Sequence, residues 1–284
     1  MKTVDRFDDM EGRFGSAPGR ATVVDFSRAR SGSRREAGEP AAVGIDLGSG
    51  YTRIWTPGRL LLDAPTISGD LGRPAPLVRR GRISDPDDLA TFLARLLHSW
   101  HPPLPAGAVV VACLPVLATE DDEAVARQLL TEVFDPSRVS FIDTVWAAAT
   151  EAADRPGGLL VADVGAQLTE VALLARGGVV AARRVDLGLS DLARSSRSDP
   201  VMHTIVELVR SLRRDPRYRK LSATAIGKGL FMVGGGAAQP ELVARTAAAL
   251  ELPVRLAPEP RLAAVRGAGR AALSAIRRTA TLAA

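Results

Sequence analysis

The sequence predicts an α/β protein built from two mixed-sheet domains of one topology, βββαβαβα in each, and three observations predict it. A hydrophobic strand ends in Asp-x-Gly twice, at Val43-Gly44-Ile45-Asp46-Leu47-Gly48 and at Leu160-Val161-Ala162-Asp163-Val164-Gly165. Each copy runs on into a second strand, a tight turn (Pro57-Gly58, then Gly177-Gly178) and a third strand, the pattern of a short meander. Behind each meander, helical spacing and short apolar runs alternate, as mixed α/β units require.

Residues 1 to 40 mix charge with Gly, Ser and Pro and hold no sustained period, which predicts a disordered tail. Within it, Met10, Phe14, Val23, Val24 and Phe26 leave open a segment that contacts a partner or a membrane. The first domain is placed at 41–153, with strands near 42–46, 52–55, 59–62, 108–113 and 139–142. Its first helix starts at Ser84-Asp85-Pro86-Asp87, a cap followed by an early proline, and sets Leu89, Phe92, Leu93, Leu96 and Leu97 on one face. Thr119, with Asp122 three residues on, caps the second helix, whose Val125, Leu129 and Leu130 are expected to face inward. A third, short helix follows Asp143.

The second domain, 154–284, repeats the order. Strands are expected near 159–163, 169–174, 179–184, 229–233 and 252–256, and helices near 201–213, 240–250 and 260–277. Pro240 and Pro260 suit first-turn positions, and Val201, Ile205, Leu208, Val209 and Leu212 have helical spacing.

With 284 residues and 46% hydrophobic content the chain can bury a sizeable core. A formal charge of +5 is compatible with an anionic partner, but aromatics at 4% supply few base-stacking platforms, so no nucleic-acid partner is expected. The single Cys113 lies in the apolar run from Val109 to Leu114, which excludes an internal disulfide and predicts a buried thiol. No stretch reaches the roughly 18 apolar residues of a membrane span and no signal-peptide core opens the chain, so a cytoplasmic protein is expected.

Asp46 ends a buried strand, and Gly48, Ser49 and Gly50 follow where the backbone bends and presents N–H groups suited to phosphate. As a bare turn, Asp-x-Gly is commoner in hairpins than at nucleotide sites, so the functional reading rests on the second copy and on a third element. That element is Gly229-Leu230-Phe231-Met232-Val233-Gly234-Gly235-Gly236, an apolar strand running into three glycines. Consecutive glycines cost chain entropy, which favours close approach to a ligand over a plain connector. Asp46 and Asp163 have an ordinary alternative role as loop-capping carboxylates. His98, His101 and His203 lack metal-ligand spacing. The run Arg210, Arg213, Arg214, Arg217, Arg219 and Lys220, interrupted by Asp215, reads first as a solvated helix end and second as a surface for anionic lipid or an acidic partner.

From Ala41 to Leu273 these residues resemble the actin-like ATPase superfamily, with its ribonuclease H-like core, and within it the bacterial rod shape-determining MreB family. Gly44-Ile45-Asp46-Leu47-Gly48-Ser49-Gly50-Tyr51-Thr52 resembles the first phosphate motif. The stretch from Asp163 to Leu174 resembles the second, Phe141-Ile142-Asp143 through Ala149 the connecting helix, and the triple glycine the adenosine motif. Val78-Arg79-Arg80-Gly81-Arg82-Ile83-Ser84-Asp85 is similar to the lead into the family's first long helix, and Asp199-Pro200-Val201 through Arg213 to the helix before its adenosine strand.

The resemblance implies ATP and magnesium between two domains. Asp46, Gly48, Ser49, Gly50, Tyr51, Thr52, Gly165, Gly234, Gly235 and Gly236 would hold the nucleotide. Asp46 and Asp163 would reach the metal through water, and Asp163 with Asp143 would serve catalysis. It also implies a cytoskeletal or scaffold role in cell shape, wall synthesis or sporulation, by self-assembly or co-assembly with a full-length MreB relative. The partners would be morphogenesis proteins, and the place the cytoplasm or the inner face of the membrane. A slow ATPase or nucleotide-gated switch of the actin and chaperone superfamily, and a chaperone-like or pilus-assembly relative, are the alternatives.

Departures from the family pattern are as specific as the matches. The stretches Pro65 to Leu77 and Leu189 to Ser198, where the family inserts its outer lobes, are long enough for loops only, which implies a reduced two-domain core. Gly165-Ala166-Gln167-Leu168-Thr169 replaces the glycine-rich second loop, and Ala166 and Gln167 obstruct close approach to phosphate unless the loop changes path. Thr144-Val145 stands where the family carries Glu-Pro. A hydroxyl does not hold a water as a carboxylate does, so at most a weak ATPase is expected.

Overall fold

The computed structural model describes residues 2–5, 22–24, 41–58, 61–68, 75–101, 103–152, 158–192 and 199–283. Most of the expected tail, with Met10, Phe14 and Phe26, lies outside the described residues, as do 59–60 of the third strand and parts of the two loops at 65–77 and 189–198. Two short strands do fall in the region read as featureless: β1 (Lys2–Asp5) and β2 (Thr22–Val24). Each joins the outer edge of one sheet, a pairing that no local period announces.

Domain I contains β3 (Ala42–Leu47), β4 (Tyr51–Trp55), β5 (Leu61–Pro65), the small hairpin β6 (Val78–Arg79) and β7 (Arg82–Ile83), then α1 (Pro86–His98), β8 (Val109–Leu114), α2 (Glu120–Phe134), β9 (Arg138–Asp143) and α3 (Thr144–Ala149). Domain II contains β10 (Leu159–Val164), β11 (Thr169–Ala175), β12 (Gly178–Val185), α4 (Asp199–Arg214), α5 (Arg219–Ile226), β13 (Leu230–Val233), α6 (Pro240–Leu250), β14 (Val254–Leu256) and α7 (Ala263–Ala283). The sheets run β2-β5-β4-β3-β8-β9 and β1-β12-β11-β10-β13-β14. In each, the meander is antiparallel and the last two strands add in parallel beside the first, the same order twice. The predicted class and duplication are what the structure has.

Local chemistry explains the helix starts. Asp85 accepts from the Asp88 amide with Pro86 in the first turn, and Thr119 with Asp122 closes a reciprocal capping box. The inward face of α2 differs from expectation: Val125 is exposed, and Ala126 is buried in line with Leu129 and Leu130. The spacing of the two leucines fixes the helix phase, and that phase brings position 126 to the core. The basic run also differs from a single helix end. It covers the last turn of α4, a short 3₁₀ turn at Pro216–Tyr218 and the first turn of α5.

Among the described residues three large cores follow from this layout, with a small fourth cluster of Leu61, Leu262 and Val265. One lies under the outer face of each sheet, and a third lies between the sheets, where α3 and α7 pack against both. Helix α7 leaves domain II and crosses β3, and Gly44 and Gly269 make the crossing possible. A β-carbon on Gly44 would stand 2.3 Å from the Gly269 nitrogen, and one on Gly269 would stand 2.2 Å from the Trp55 ring. Cys113 is buried as expected, its Sγ donating to the Ala264 carbonyl of the same helix. Among the described residues no helix is long and apolar enough to cross a membrane.

Candidate functional site

The two Asp-x-Gly loops meet. Both follow the C-terminal end of a central strand with parallel neighbours, the edge at which open α/β sheets form ligand crevices. Between the domains lies a cleft of about 630 Å³, a size suited to a small ligand. Its lining draws on both loops (Asp46, Gly50, Tyr51; Asp163, Gly165, Ala166), on α3 (Thr144, Ala148), on the glycine turn (Gly234, Gly235), on Arg261 in the turn before α7 and on Ala264 in its first turn.

Charge in the cleft is organised across the strands. The register sets Asp46 opposite Arg53 and Arg53 opposite Asp63, so one guanidinium stands between two carboxylates on one face of the sheet. The Arg53 Nη1 to Asp46 Oδ2 distance is 3.6 Å and the Nε to Asp63 Oδ1 distance is 3.1 Å. Domain II repeats the geometry with different charges: Asp163 lies opposite Glu170, and Glu170 opposite Arg184. Burial pushes Asp46 up to about 7 and Asp163 up to about 6, with Arg53 opposing the rise in both. Burial, with Asp163 and Asp143 nearby, also drives the Glu170 carboxyl well above the usual range, although the Val116 amide donates to it.

Of the residues expected at the nucleotide, metal and catalytic positions, Asp46, Gly50, Tyr51, Asp163, Gly165, Gly234 and Gly235 line this cleft. Gly48, Ser49, Thr52, Gly236 and Asp143 are not in its lining. Thr52 is buried and shares a 2.9 Å hydrogen bond with Thr66. Asp143 is buried at the end of β9, one residue before Thr144, which does face the cleft.

Packing within the chain accounts for two of the three consecutive glycines. Gly234 has φ +82°, and a β-carbon there would stand 2.1 Å from Asp163 Oδ1; one on Gly236 would stand 2.4 Å from the Val164 side chain. The turn after β13 thus closes on the end of β10, while the space at Gly235 is looser. The amides of Gly48, Gly165 and Gly234 donate to Tyr51, Leu168 and Pro260 carbonyls respectively, so these three are engaged by the protein itself.

Sequence reasoning passed over Arg53, Asp63 and Arg261, which bring most of the cleft's remaining charge. The signal was present. An arginine at the middle of a five-residue strand, two positions from Tyr51 and Trp55, is a charge on a half-buried face and calls for a partner across the strand.

The lining offers a ligand two arginines, Arg53 and Arg261, a glycine turn and a concave volume, set beside the carboxyl groups of Asp46, Asp63 and Asp163. Direct metal coordination does not fit the donor set. Among the described residues no three His, Cys, Asp or Glu side chains converge to hold an ion, and Arg53 already stands against Asp46. Thr144 Oγ1 is buried without a hydrogen-bond partner.

No protein-family model matches the sequence, and no curated protein matches it. Solved structures do match in shape. MreB5 of Spiroplasma citri bound to AMPPNP superposes with a TM-score of 0.71 at 14% identity, covering 86% of this chain and 99% of that one. PilM in the PilM–PilN type IV pilus biogenesis complex gives 0.58 at 17% identity, over 82% and 98% of the two chains. The ethanolamine utilization protein EutJ from Carboxydothermus hydrogenoformans gives 0.56 at 17% identity, over 82% and 90%. Duplicated sheets of one order, a connecting helix and a final helix packed between them, and a cleft where the two Asp-x-Gly loops meet are thus found together: this chain has the actin-like ATPase fold.

Proposed function

We propose that the chain is a reduced MreB-like actin homologue, a cytoskeletal or scaffold protein of cell shape, wall synthesis or sporulation that binds a nucleotide weakly between its domains. The observation that carries the reading is the convergence of both Asp-x-Gly loops and the glycine turn on one cleft that also holds Arg53 and Arg261. The bound nucleotides of the MreB5 structures support ATP or ADP as the ligand class. The step from fold to cellular role is analogy.

In this reading Arg53 and Arg261 face the phosphate chain, and Gly50, Gly165 and Gly235 let its atoms approach the backbone. A magnesium ion, when bound, would neutralise phosphate charge and would reach Asp46 and Asp163 through water. Thr144 supplies no carboxylate to orient a water, so turnover is slow or absent. Assembly with itself or with a full-length relative, at the cytoplasmic face of the membrane, is the expected mode of action.

Titration calorimetry with ATP and ADP, with and without magnesium, tests the ligand. Micromolar binding supports the nucleotide reading, and metal dependence supports the water-mediated ion. No heat at millimolar nucleotide would leave a scaffold whose site has lost its ligand. Phosphate release that disappears in Asp163→Ala would instead establish the slow ATPase. A second reading, an actin-like protein of the pilus-assembly kind, is favoured by the likeness to PilM in complex with PilN, and a pilus-assembly protein recovered by crosslinking would select it.

A further inference from the structure

The hairpin formed by β6 and β7 belongs to domain I at its base and to domain II at its tip. Leu77 and Val78 are buried in the domain I core, and Arg82 lies 3.4 Å from Asp122 of α2. At the tip, the Arg80 amide donates to Gln167 Oε1 at 2.9 Å, and its Nη1 donates to the carbonyls of Gln167 (2.8 Å) and Asp186 (2.9 Å). The same guanidinium grips the Asp191 carboxylate with both Nη atoms, Nη1 to Oδ2 at 2.6 Å. In return Arg184 Nη2 donates to the Arg80 carbonyl at 2.6 Å. Every partner of Arg80 in this set lies on domain II.

The receiving surface is the second Asp-x-Gly loop and the short turn packed on it. Gly165 and Ala166 accept from the amides of Leu189 and Ser190, and Gly165, Ala166, Leu189 and Ser190 all line the cleft. Asp191 also accepts from the Gly188 amide at 2.9 Å, which fixes its carboxylate toward Arg80. Gln167, the residue that departs most from a phosphate loop, therefore spends its side-chain oxygen and its carbonyl on the opposite domain.

The backbone at Arg80 points the same way. Arg80 has φ +42° and Gly81 φ +96°, left-handed values at both central positions of a two-residue hairpin, where Asn-Gly or Asp-Gly is the low-strain choice. Arginine is a poor residue for that turn, so its side chain is the reason for its place. A bidentate Arg–carboxylate pair with further backbone acceptors is also the geometry in which a part-exposed ion pair has weight.

We infer that Arg80 is a positioning residue that clasps the second loop across the mouth of the cleft. The clasp holds the two domains closed without a ligand and slows exchange through the mouth. The exchange part rests on the nucleotide reading above, and the closure part does not.

The test uses the full chain. Glu132→Cys on α2 and Glu207→Cys on α4 place spin labels on exposed sites of the two domains, and buried Cys113 stays unlabelled. In nucleotide-free protein one narrow interdomain distance is expected. Arg80→Asn suits the turn better than arginine, so the hairpin keeps its fold while the clasp is lost. The distance should then lengthen and broaden, with a single cooperative thermal transition retained, and release of a fluorescent ATP analogue should quicken about tenfold. Asp191→Asn should move the distance in the same direction. An unchanged narrow distance in Arg80→Asn would overturn the clasp. If the unaltered protein binds no nucleotide, the nucleotide reading fails and the distances alone still decide the clasp.

Discussion

Arg53 and Glu170 occupy the same place in the two halves of the molecule: each lies directly across from the aspartate near the end of its domain's first strand, Arg53 opposite Asp46 and Glu170 opposite Asp163. The fold is duplicated, but the charge at this position is inverted. In domain I a cation sits between two carboxylates. In domain II a buried carboxylate sits between Asp163 and Arg184. Arg53 and Arg261 are the cations of the cleft lining, set among Asp46, Asp63 and Asp163, and on the nucleotide reading they are the counter-charge for phosphate.

Replacing Arg53 removes that counter-charge. Arg53→Gln should weaken nucleotide binding by about thirtyfold or more, the usual effect of truncating one member of a buried charge pair. It should also raise the Asp46 and Asp163 carboxyls further, since Arg53 opposes the effect of burial on both. Calorimetry gives the affinity, and NMR titration of the carboxyl carbons gives the second effect. An affinity equal to that of the unaltered chain would show that the phosphates lie elsewhere.

The same carboxylates set the response to pH. A group whose folded pKa lies above its unfolded value binds more protons when folded, so stability falls as pH rises between the two. For Asp46 that window runs from 3.8 to about 7, and for Asp163 from 3.8 to about 6. Urea unfolding of the ligand-free chain should therefore show stability declining from pH 4 to pH 7. Asp46→Asn should flatten the decline and gain up to about 4 kcal/mol at pH 8, the ceiling for a shift of that size at about 1.4 kcal/mol per unit. A flat profile in the unaltered chain would contradict the burial of these groups.

What was legible in the sequence was whatever depends on neighbours along the chain. The helix at Pro86 and the capping box at Thr119 are local chemistry, and the duplicated Asp-x-Gly strands announce themselves by repetition. The cleft residues on those loops followed. The place of Arg53 in mid-strand announces that it needs a partner, but that the partners are Asp46 and Asp63, and that Arg80 meets Gln167 and Asp191, depends on strand register and on contact between domains, which no spacing reveals. The triple glycine shows how a sound rule can lead to a different partner. Close approach was required there, but for Gly234 what approaches is the Asp163 side chain.

Asp215, read from sequence only as an interruption in a basic run, is where two arginines meet. Arg183 Nη2 lies 3.0 Å from its carboxylate in a buried pair, and Arg217 binds it from the surface at 2.8 Å. The Arg217 hydrogen bond, the largest influence, with Arg183 nearby, holds the Asp215 carboxyl down at about 2. Asp215→Asn leaves the Arg183 charge buried against a neutral amide and should cost about 3 kcal/mol in chemical unfolding. Arg217→Ala, at a half-exposed side chain, should cost under about 1 kcal/mol. Equal costs for the two would mean that the buried pair has no special weight.

Gly44 and Gly269 test how firmly the last helix joins the domains. The contact is backbone against backbone, with the Val265 carbonyl 2.4 Å from a β-carbon built at Gly44, so no side chain is available to move aside. Gly44→Ala must push α7 away from β3 or bend the central strand. Overpacking of this kind costs about 1 to 3 kcal/mol, and here it also shifts the helix that carries Ala264 at the cleft wall. Gly58→Ala is the control, because a β-carbon there meets nothing within 4 Å, although φ +76° leaves it a backbone cost of its own. If α7 couples the domains, Gly44→Ala should lower both the thermal midpoint and nucleotide affinity, and Gly58→Ala should lower the midpoint alone. Loss of stability with full affinity in Gly44→Ala would mean that the cleft is set by the sheets and the Arg80 clasp, independently of α7.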